Sequence, residues 1–377
     1  MKRHIQKCAV IASVALFSAL IVSMGCNRKH ERPEIRVGVI VPLTGGAADF
    51  GKWAKRGVDL AVSALNSNSA SKFSFRAVYE DHQMDVKQGV TSFKKLADID
   101  NVKAVVTSGS GVVLAIAPEA DRAHIIQLNY AAVSPAICGS GDYTFTLVNN
   151  ADVETDEIAE LAIKKLRIAK VAILYANAAY GVTTKDSVVK SFKSRGGEIL
   201  GEIAFQEGFT DIRAQLLQIK EMNPPAVYFI ATIKDSGRLL KQAKELGVTT
   251  QWLTYNAFES PEVLSIAGDA ADGVIYTSSN LFDLPNPPAS ASSFLRAYMN
   301  AYGERPNIYT ATAYDSIMLL SRAIAQSDGT QEGIRSALTR TSDYEGAGGR
   351  IAFDSHGCVK KLVFLKAVRQ GRFVVYE

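Results

Sequence analysis

The chain has little cysteine, no strong excess of either charge and no zinc motif, and each shortage removes a class of function. Its 377 residues carry 42 Lys and Arg against 38 Asp and Glu, a net of +4. Lys2, Arg3 and Lys7 account for three of those cations within the first 25 residues, where there is no acid, so the rest is nearly neutral at 39 against 38. A near-neutral body of mixed sign has no electrostatic footprint for DNA or RNA. The four cysteines form no CxxC, and the five histidines (4, 30, 82, 124, 356) are scattered with no HExxH, which argues against a structural zinc site. No motif calls for a cofactor. Apolar residues make up 47% of the chain, enough for packed cores rather than disorder.

The N-terminus reads as a targeting segment over residues 1–25. "MKRHIQK" is basic, Cys8 to Gly25 is uncharged and ends in small residues, and a polar run follows Cys26. Gly25-Cys26 resembles a bacterial lipobox, in which the Cys becomes the lipid-bearing N-terminus. Ser23 departs from it where Leu is usual. The rival is an uncleaved anchor at the lower edge of a membrane span. Either way the body lies outside the cytoplasmic membrane, at the cell surface or in a periplasm. Cys138 and Cys358 remain. An oxidising compartment would allow them to pair, but their spacing is silent on distance.

The body is α/β. "EIRVGVIVP" is apolar nearly throughout, as suits a parallel strand buried on both faces. "GKWAKRGVDLAVSALN" follows with Ala54, Val58, Ala61, Val62 and Leu65 at helical spacing. "FSFRAVYED", "VKAVVTS" and "HIIQLNY" continue the strands, with helices between, so the order calls for a parallel sheet covered on both faces. The rhythm restarts at "KVAILYA" and runs through "EILGEIAF", "AVYFIAT" and "TQWLTY". Two doubly wound parallel-sheet lobes in series are expected, with "NADVETDE" as connector and helix start. Two long helices come after the Pro-rich "FDLPNPPASAS". "GRIAFDSHG" and "KKLVFLKAVRQGRFVVYE" then read as a terminal hairpin or meander. Ligands of such sheets bind at the carboxyl ends of strands, which places a site in the cleft between lobes.

The turn "VTSGSGVV" holds the sharpest chemical question. Ser108 or Ser110 could be a nucleophile, but the first glycine of G-x-S-x-G is missing and no His is marked as a partner. The turn also lacks GxxxxGK[ST]. It could merely cap the next helix. It could instead present hydroxyls and free amides to an anion, typically a carboxylate. Pro118 predicts a kink in that helix or a second helix start. "YEDHQMD" gathers three acids and His82 and is read as a solvated loop and helix cap rather than a metal site. Tyr180 in "YANAAYG" either faces the cleft or packs in the core.

Taken together, "IRVGVIVPLTGGAADFGKWAKRGVDLAVSALN", "VYEDHQMDVKQGVTSFKKLADIDNVKAVVTSGSGVVLAIAPEA", "AAVSP", "VAILYANAAYG" and "LLKQAKELG" resemble the branched-chain amino acid (Leu/Ile/Val) solute-binding proteins of bacterial ABC transporters, across about 34–370. The resemblance implies the type I periplasmic-binding, flytrap-like fold, with several crossings between lobes. The first lobe would take 34–149 and 280–350, the second 150–279 and 351–377. It implies that Ser110, with Ser108 beside it, anchors a ligand carboxylate without reacting. The backbone of Ala131, Ala132, Val133 and Ser134 would add contacts, Phe50 and Trp53 would pack on the ligand, and Tyr180 would face it. Three positions depart from the family pattern. Val133 replaces a hydroxyl residue, Thr232 replaces a tyrosine, and Asn256 stands where an acid would pair with an ammonium, with Glu259 the nearest carboxylate. An ammonium buried there lacks its partner, so a small carboxylate, amide or aromatic acid is expected beside an amino acid as the ligand. The expected partners are that small molecule, an ABC permease and a membrane reached through lipid at Cys26. The expected state is a monomer that is not an enzyme. A sensor module of the same fold, uncoupled from transport, and a serine hydrolase are the competing functions.

Overall fold

A computed structural model describes residues 32–377, so the basic start, the apolar run and Cys26 lie outside the described residues. The first sheet holds β1 (Glu34–Val41), β2 (Ser74–Asp81), β3 (Ala104–Thr107), β4 (Ile126–Asn129) and β5 (Thr144–Thr146), all parallel, in the order β2-β1-β3-β4-β5. In β1 the apolar run buries Val37, Val39, Ile40 and Val41 completely, because helices cover both faces. On one face lie α1 (Ala48–Ser67) and α10 (Ile308–Ala325), with Ala54, Val58, Ala313 and Ile317 in the core. On the other lie α2 (Val86–Asp98) and α3 (Ser110–Ala123), with Phe93, Leu96, Val112 and Ile116. Gly57 lets α1 and α10 touch, since a Cβ there would lie 2.3 Å from the Thr310 carbonyl oxygen.

The second lobe opens with α4 (Ala151–Glu160) and builds β6 (Lys170–Ala176), α5 (Ala179–Lys193), β7 (Glu198–Phe205), α6 (Arg213–Met222), β8 (Ala226–Ile230), α7 (Ile233–Glu245), β9 (Gln251–Thr254), α8 (Pro261–Ala267) and β10 (Ile275–Ser278). The chain then returns to the first lobe through α9 (Ala289–Tyr302), α10 and α11 (Gln331–Thr339). The second sheet runs β14-β13-β10-β9-β8-β6-β7, where β13 (Phe364–Arg369) and β14 (Arg372–Val375) form an antiparallel hairpin on the β10 edge. The architecture is therefore α/β with two largely parallel sheets, each covered on both faces.

Two expectations are corrected. "GRIAFDSHG" does not join the terminal strands. Its first residues form β12 (Gly349–Ile351), which pairs with β11 (Tyr344–Gly346) in a separate hairpin. The third passage between lobes also lies beyond 351. Ile351 and Val359 belong to the first lobe's core, and the chain reaches the second sheet only at Phe364. The helix with Pro118 runs unbroken from Ser110 to Ala123.

Three passages cross between lobes: 148–151, 278–281 and 361–363. One side chain ties them. Asn149 Oδ1 accepts from the Lys361 amide at 2.7 Å, and its Nδ2 donates to the Lys361 carbonyl at 3.2 Å and to Ser279 Oγ at 3.4 Å. Just before the third passage, Cys138 and Cys358 form a disulfide with their Cα atoms 5.6 Å apart, and the Thr146 amide bonds the Gly357 carbonyl at 2.8 Å. This bridge closes a loop with a sequence separation of 220, so the chain-entropy account gives it about 5 kcal/mol. Replacing both cysteines with serine should lower the thermal unfolding midpoint, and reductant should lower that of the parent alone. A variant that melts with the parent would show that the bridge contributes nothing to stability.

Candidate functional site

The lobes face each other across a cavity of about 590 Å³, mouth included. The first lobe lines it with Pro42 and Ala47 after β1, Phe50 in α1, Met84, the turn Ser108–Gly109–Ser110, Ala131, Ala132 and Val133 after β4, and Tyr309 at the start of α10. The second lobe brings Tyr180 of α5, Glu207 from the β7–α6 loop, Thr232, Tyr255 and Ala257. Nearly every contribution sits just past a strand or at a helix start, as a parallel sheet dictates.

The turn after β3 presents a helix start to the cavity. Gly109 adopts a left-handed φ of +78°, where a Cβ would press on Met84 and His82. The chain then enters α3, whose first cross-turn bond is Val113 N–H to the Gly109 carbonyl at 2.9 Å. The amides of Ser110, Gly111 and Val112 precede that bond, so they point out of the helix start with its partial positive charge. Ser110 Oγ accepts from the Ser134 amide at 3.3 Å, which turns its hydrogen outward.

Ser108 has a histidine neighbour after all. His82 is wholly buried, not on a solvated loop as the sequence implied, and its Nε2 lies 3.4 Å from Ser108 Oγ. Its other nitrogen, Nδ1, accepts from the Met84 amide at 3.0 Å. Burial pushes the imidazole down to about 4, so the ring is neutral and carries its hydrogen on Nε2, toward the serine. A ring in that tautomer donates to Ser108 and cannot take its proton, so the pair lacks the base that a hydrolase needs. The acids of the same stretch hold the fold. Asp81 accepts from the Leu43 amide at 2.8 Å and Thr44 Oγ1 at 2.6 Å, and Asp85 caps α2.

The loop after β4 is less available than expected. Asn129 Oδ1 accepts from the amides of Ala131 at 3.1 Å and Ala132 at 2.8 Å, and the Ser134 amide is spent on Ser110. These three amides are committed within the lobe, and Val133 is the member of the loop not held this way. Ser134 is buried and does not line the cavity.

The aromatic residues share the work unevenly. The Phe50 and Tyr309 ring centroids lie 5.0 Å apart at the cavity wall. Trp53 stacks on Tyr309 with an interplanar angle of 6° and lines not this cavity but a neighbouring one, with Ser260, Pro261 and Glu262 of the second lobe. Tyr255 and Tyr130 spend their hydroxyls on the Ala231 and Phe50 carbonyls, at 3.3 and 2.8 Å. Thr232 lines the cavity while its Oγ1 caps α7.

Asn256 is placed outside the lining. Its Nδ2 donates to Glu154 Oε1 at 2.6 Å, and its Oδ1 accepts from the Tyr309 hydroxyl. Glu154 Oε2 also accepts from Thr277 Oγ1 at 2.8 Å. The nearest acid named from sequence, Glu259, is paired with the buried Lys366, which also binds Asp283 at 2.7 Å. The carboxylate at the cavity is instead Glu207, whose Oε1 accepts from the Tyr180 hydroxyl at 2.9 Å. Spacing along one strand–helix unit gave no sign of Glu207 or Tyr309. The rule that ligands meet the carboxyl ends of strands, applied to β7, would have pointed to Glu207.

Burial raises Glu154 to about 7 from an ordinary 4.5, against the two hydrogen bonds it accepts. Over that window the unfolded chain releases a proton that the native state keeps. This stability contribution is therefore full below about pH 4.5 and lost as pH rises through 7. Glu154→Gln should flatten the dependence and raise stability at pH 8 by on the order of 3 kcal/mol. Denaturant melts of both proteins at pH 5 and pH 8 measure this. A variant less stable than the parent at both pH values would mean that the ionised form is the one the structure favours.

A sequence model described as periplasmic binding protein matches residues 34–372. The leucine-, isoleucine-, valine-, threonine- and alanine-binding protein of Pseudomonas aeruginosa is 23% identical over 356 residues, covering 93% of each chain. The crystal structure of a leucine binding protein from Thermotoga maritima superposes with a TM-score of 0.85 at 24% identity, covering 91% of this chain and 98% of that one. An ABC transporter solute binding protein from Rhodopseudomonas palustris, in complex with 3,4-dihydroxy benzoic acid, gives a TM-score of 0.82 at 23% identity over 91% and 96% of the two chains. The fold, the interlobe cavity and these matches agree: the chain belongs to the periplasmic binding protein family, with branched-chain amino acid-type ABC transporter receptors as its relatives.

Proposed function

We propose that the protein is the extracytoplasmic receptor of an ABC importer and clasps a small carboxylate-bearing ligand between its lobes. The observation that carries this reading is the start of α3, where Ser108, Gly109 and Ser110 bring two serine side chains and a helix start to one cavity wall. A carboxylate is acceptor-only and takes such donors well. The rest of the wall, from Pro42, Ala47, Phe50, Ala131, Ala132, Ala257 and the tyrosine rings, is apolar and suits an aliphatic or aromatic body. Relatives named for leucine and for an aromatic acid support that range. No chemistry is done on the ligand. It favours the closed state that a permease would recognise. The protein acts as a monomer, held to a membrane by lipid on Cys26.

Thermal unfolding of the purified protein against aliphatic amino acids, amides and aromatic acids tests the reading. A ligand at a hundred times its dissociation constant adds about 2.7 kcal/mol to stability. Ser110→Ala should weaken every carboxylate that shifts the parent by roughly tenfold, and should also lower the unliganded midpoint, because the buried Ser134 amide loses its acceptor. Equal affinities in parent and variant would remove Ser110 from the site.

A further inference from the structure

Behind the cavity a chain of hydrogen bonds crosses from one lobe to the other. Tyr309, at the start of α10 in the first lobe, shows its ring to the cavity and donates its hydroxyl to Asn256 Oδ1 in the second. Asn256 Nδ2 donates to Glu154 Oε1 at 2.6 Å, and Thr277 Oγ1 donates to Oε2 at 2.8 Å. All four side chains are buried. The first lobe also covers Glu154 through Val133, which shares with Glu154, Thr184, Tyr228 and Tyr255 the walls of a void of about 180 Å³. Among the described residues no cation acts on the carboxyl. The groups that face it are Thr277 of β10, Thr184 of α5, Tyr228 of β8, Tyr255 after β9 and Tyr309 of α10. Burial keeps the three tyrosines protonated, so Glu154 is the group here that can change charge near neutrality. Separating the lobes withdraws Tyr309 and Val133, breaks the bond to Asn256 and lets water reach the carboxyl. A charge that water reaches costs less than one sealed from it, so the open state favours the carboxylate and the closed state the acid.

We propose that Glu154 is a positioning residue for ligand capture: through Asn256 and Tyr309 it ties closure of the lobes to the uptake of one proton. This rests on the receptor reading above and adds a regulator to it. The sign follows from linkage. Closed, the carboxyl stands at about 7; open, it falls back toward its ordinary 4.5. The closed state then keeps a proton that the open state has released. Its contribution to closure is full below the open-state value and is lost as pH rises through 7. Ligand affinity therefore declines between about pH 6 and pH 8 with no change in the ligand's own charge. Two departures from the family pattern gain a role in this way. Val133 adds an apolar cover over the carboxyl, and Asn256, an amide where an acid was expected, donates to Glu154 and accepts from Tyr309 at once.

Leucine and benzoate are the probes, because neither changes charge between about pH 6 and pH 8. Calorimetric titration of the purified protein should show the affinity of whichever binds falling roughly three- to tenfold across that range. At about pH 6.5 the binding enthalpy should differ between PIPES and imidazole buffers, in the sense that reports proton uptake. Glu154→Gln is neutral at every pH. It should hold the affinity near the parent's low-pH value across the range and remove the uptake. Thr277→Val takes one donor from the carboxylate and should move the decline to higher pH, which tests the coupling even if Glu154→Gln does not fold. Tyr309→Phe keeps the ring but loses the interlobe bond, and should weaken binding several-fold at both ends of the range. If the parent's affinity and enthalpy are indifferent to pH and buffer, if Glu154→Gln keeps the parent's profile, or if Tyr309→Phe binds as the parent does, the coupling is overturned and the receptor reading stands. If neither probe binds the parent at any pH, both readings fall together.

Discussion

The passages of chain between the two lobes are tied together by the side chain of Asn149. Three passages of chain run between lobes, and this one amide bonds the other two, accepting and donating at Lys361 and donating at Ser279. The bonds are to backbone or hydroxyl, so they fix where the strands pass without fixing the angle between lobes. A buried amide with its donors and acceptor satisfied is a firm pivot, since breaking any bond strands a polar group away from water. The doubly wound sheets lie on either side of it, and the cavity is the space between them.

The cavity takes its selectivity from groups that are already oriented before any ligand arrives. His82 and the Ser134 amide each donate to a serine, leaving both hydroxyl hydrogens to point elsewhere. Tyrosine hydroxyls turn away to carbonyls or to Asn256 and leave ring surface on the inside. Asn129 consumes amides that a ligand might otherwise have used. Such prepaid orientation keeps binding from having to order the site itself. It also explains how a serine beside a histidine stays inert: the proton is on the wrong nitrogen.

Much of the fold was legible because its strands are buried on both faces. Runs such as "VGVIVP" and "AVYFIAT" carry no polar interruptions, and parallel sheets leave that signature. Short elements were not legible. β5 is three residues long, and β12 was lost inside a run that alternates by chance. For the site, the turn at Ser108 and Ser110, the residues Ala131 to Val133, and Phe50, Tyr180 and Thr232 line one cavity, while Trp53 lines a neighbouring one, Asn256 is bonded to Glu154 outside the lining, and Ser134 lies buried beside Ser110. Glu207 and Tyr309 could not be read locally, because their place follows from the way two separately wound lobes meet. The acid that sequence sought near Asn256 exists as Glu154, but it faces away from the ligand space.

The bridge between Cys138 and Cys358 spans all of the second lobe along the chain except the β13–β14 hairpin. In a protein that crosses a membrane N-terminus first, Cys138 emerges early and Cys358 only after β6 to β10 have followed it out. Val359 and Ile351, which complete the first lobe's core, arrive on the same late stretch. The first lobe therefore stays unfinished and its thiol unpaired until all of the second but the β13–β14 hairpin has followed. The order of the chain alone sets when this pair can close, which is only after β6 to β10 have followed Cys138.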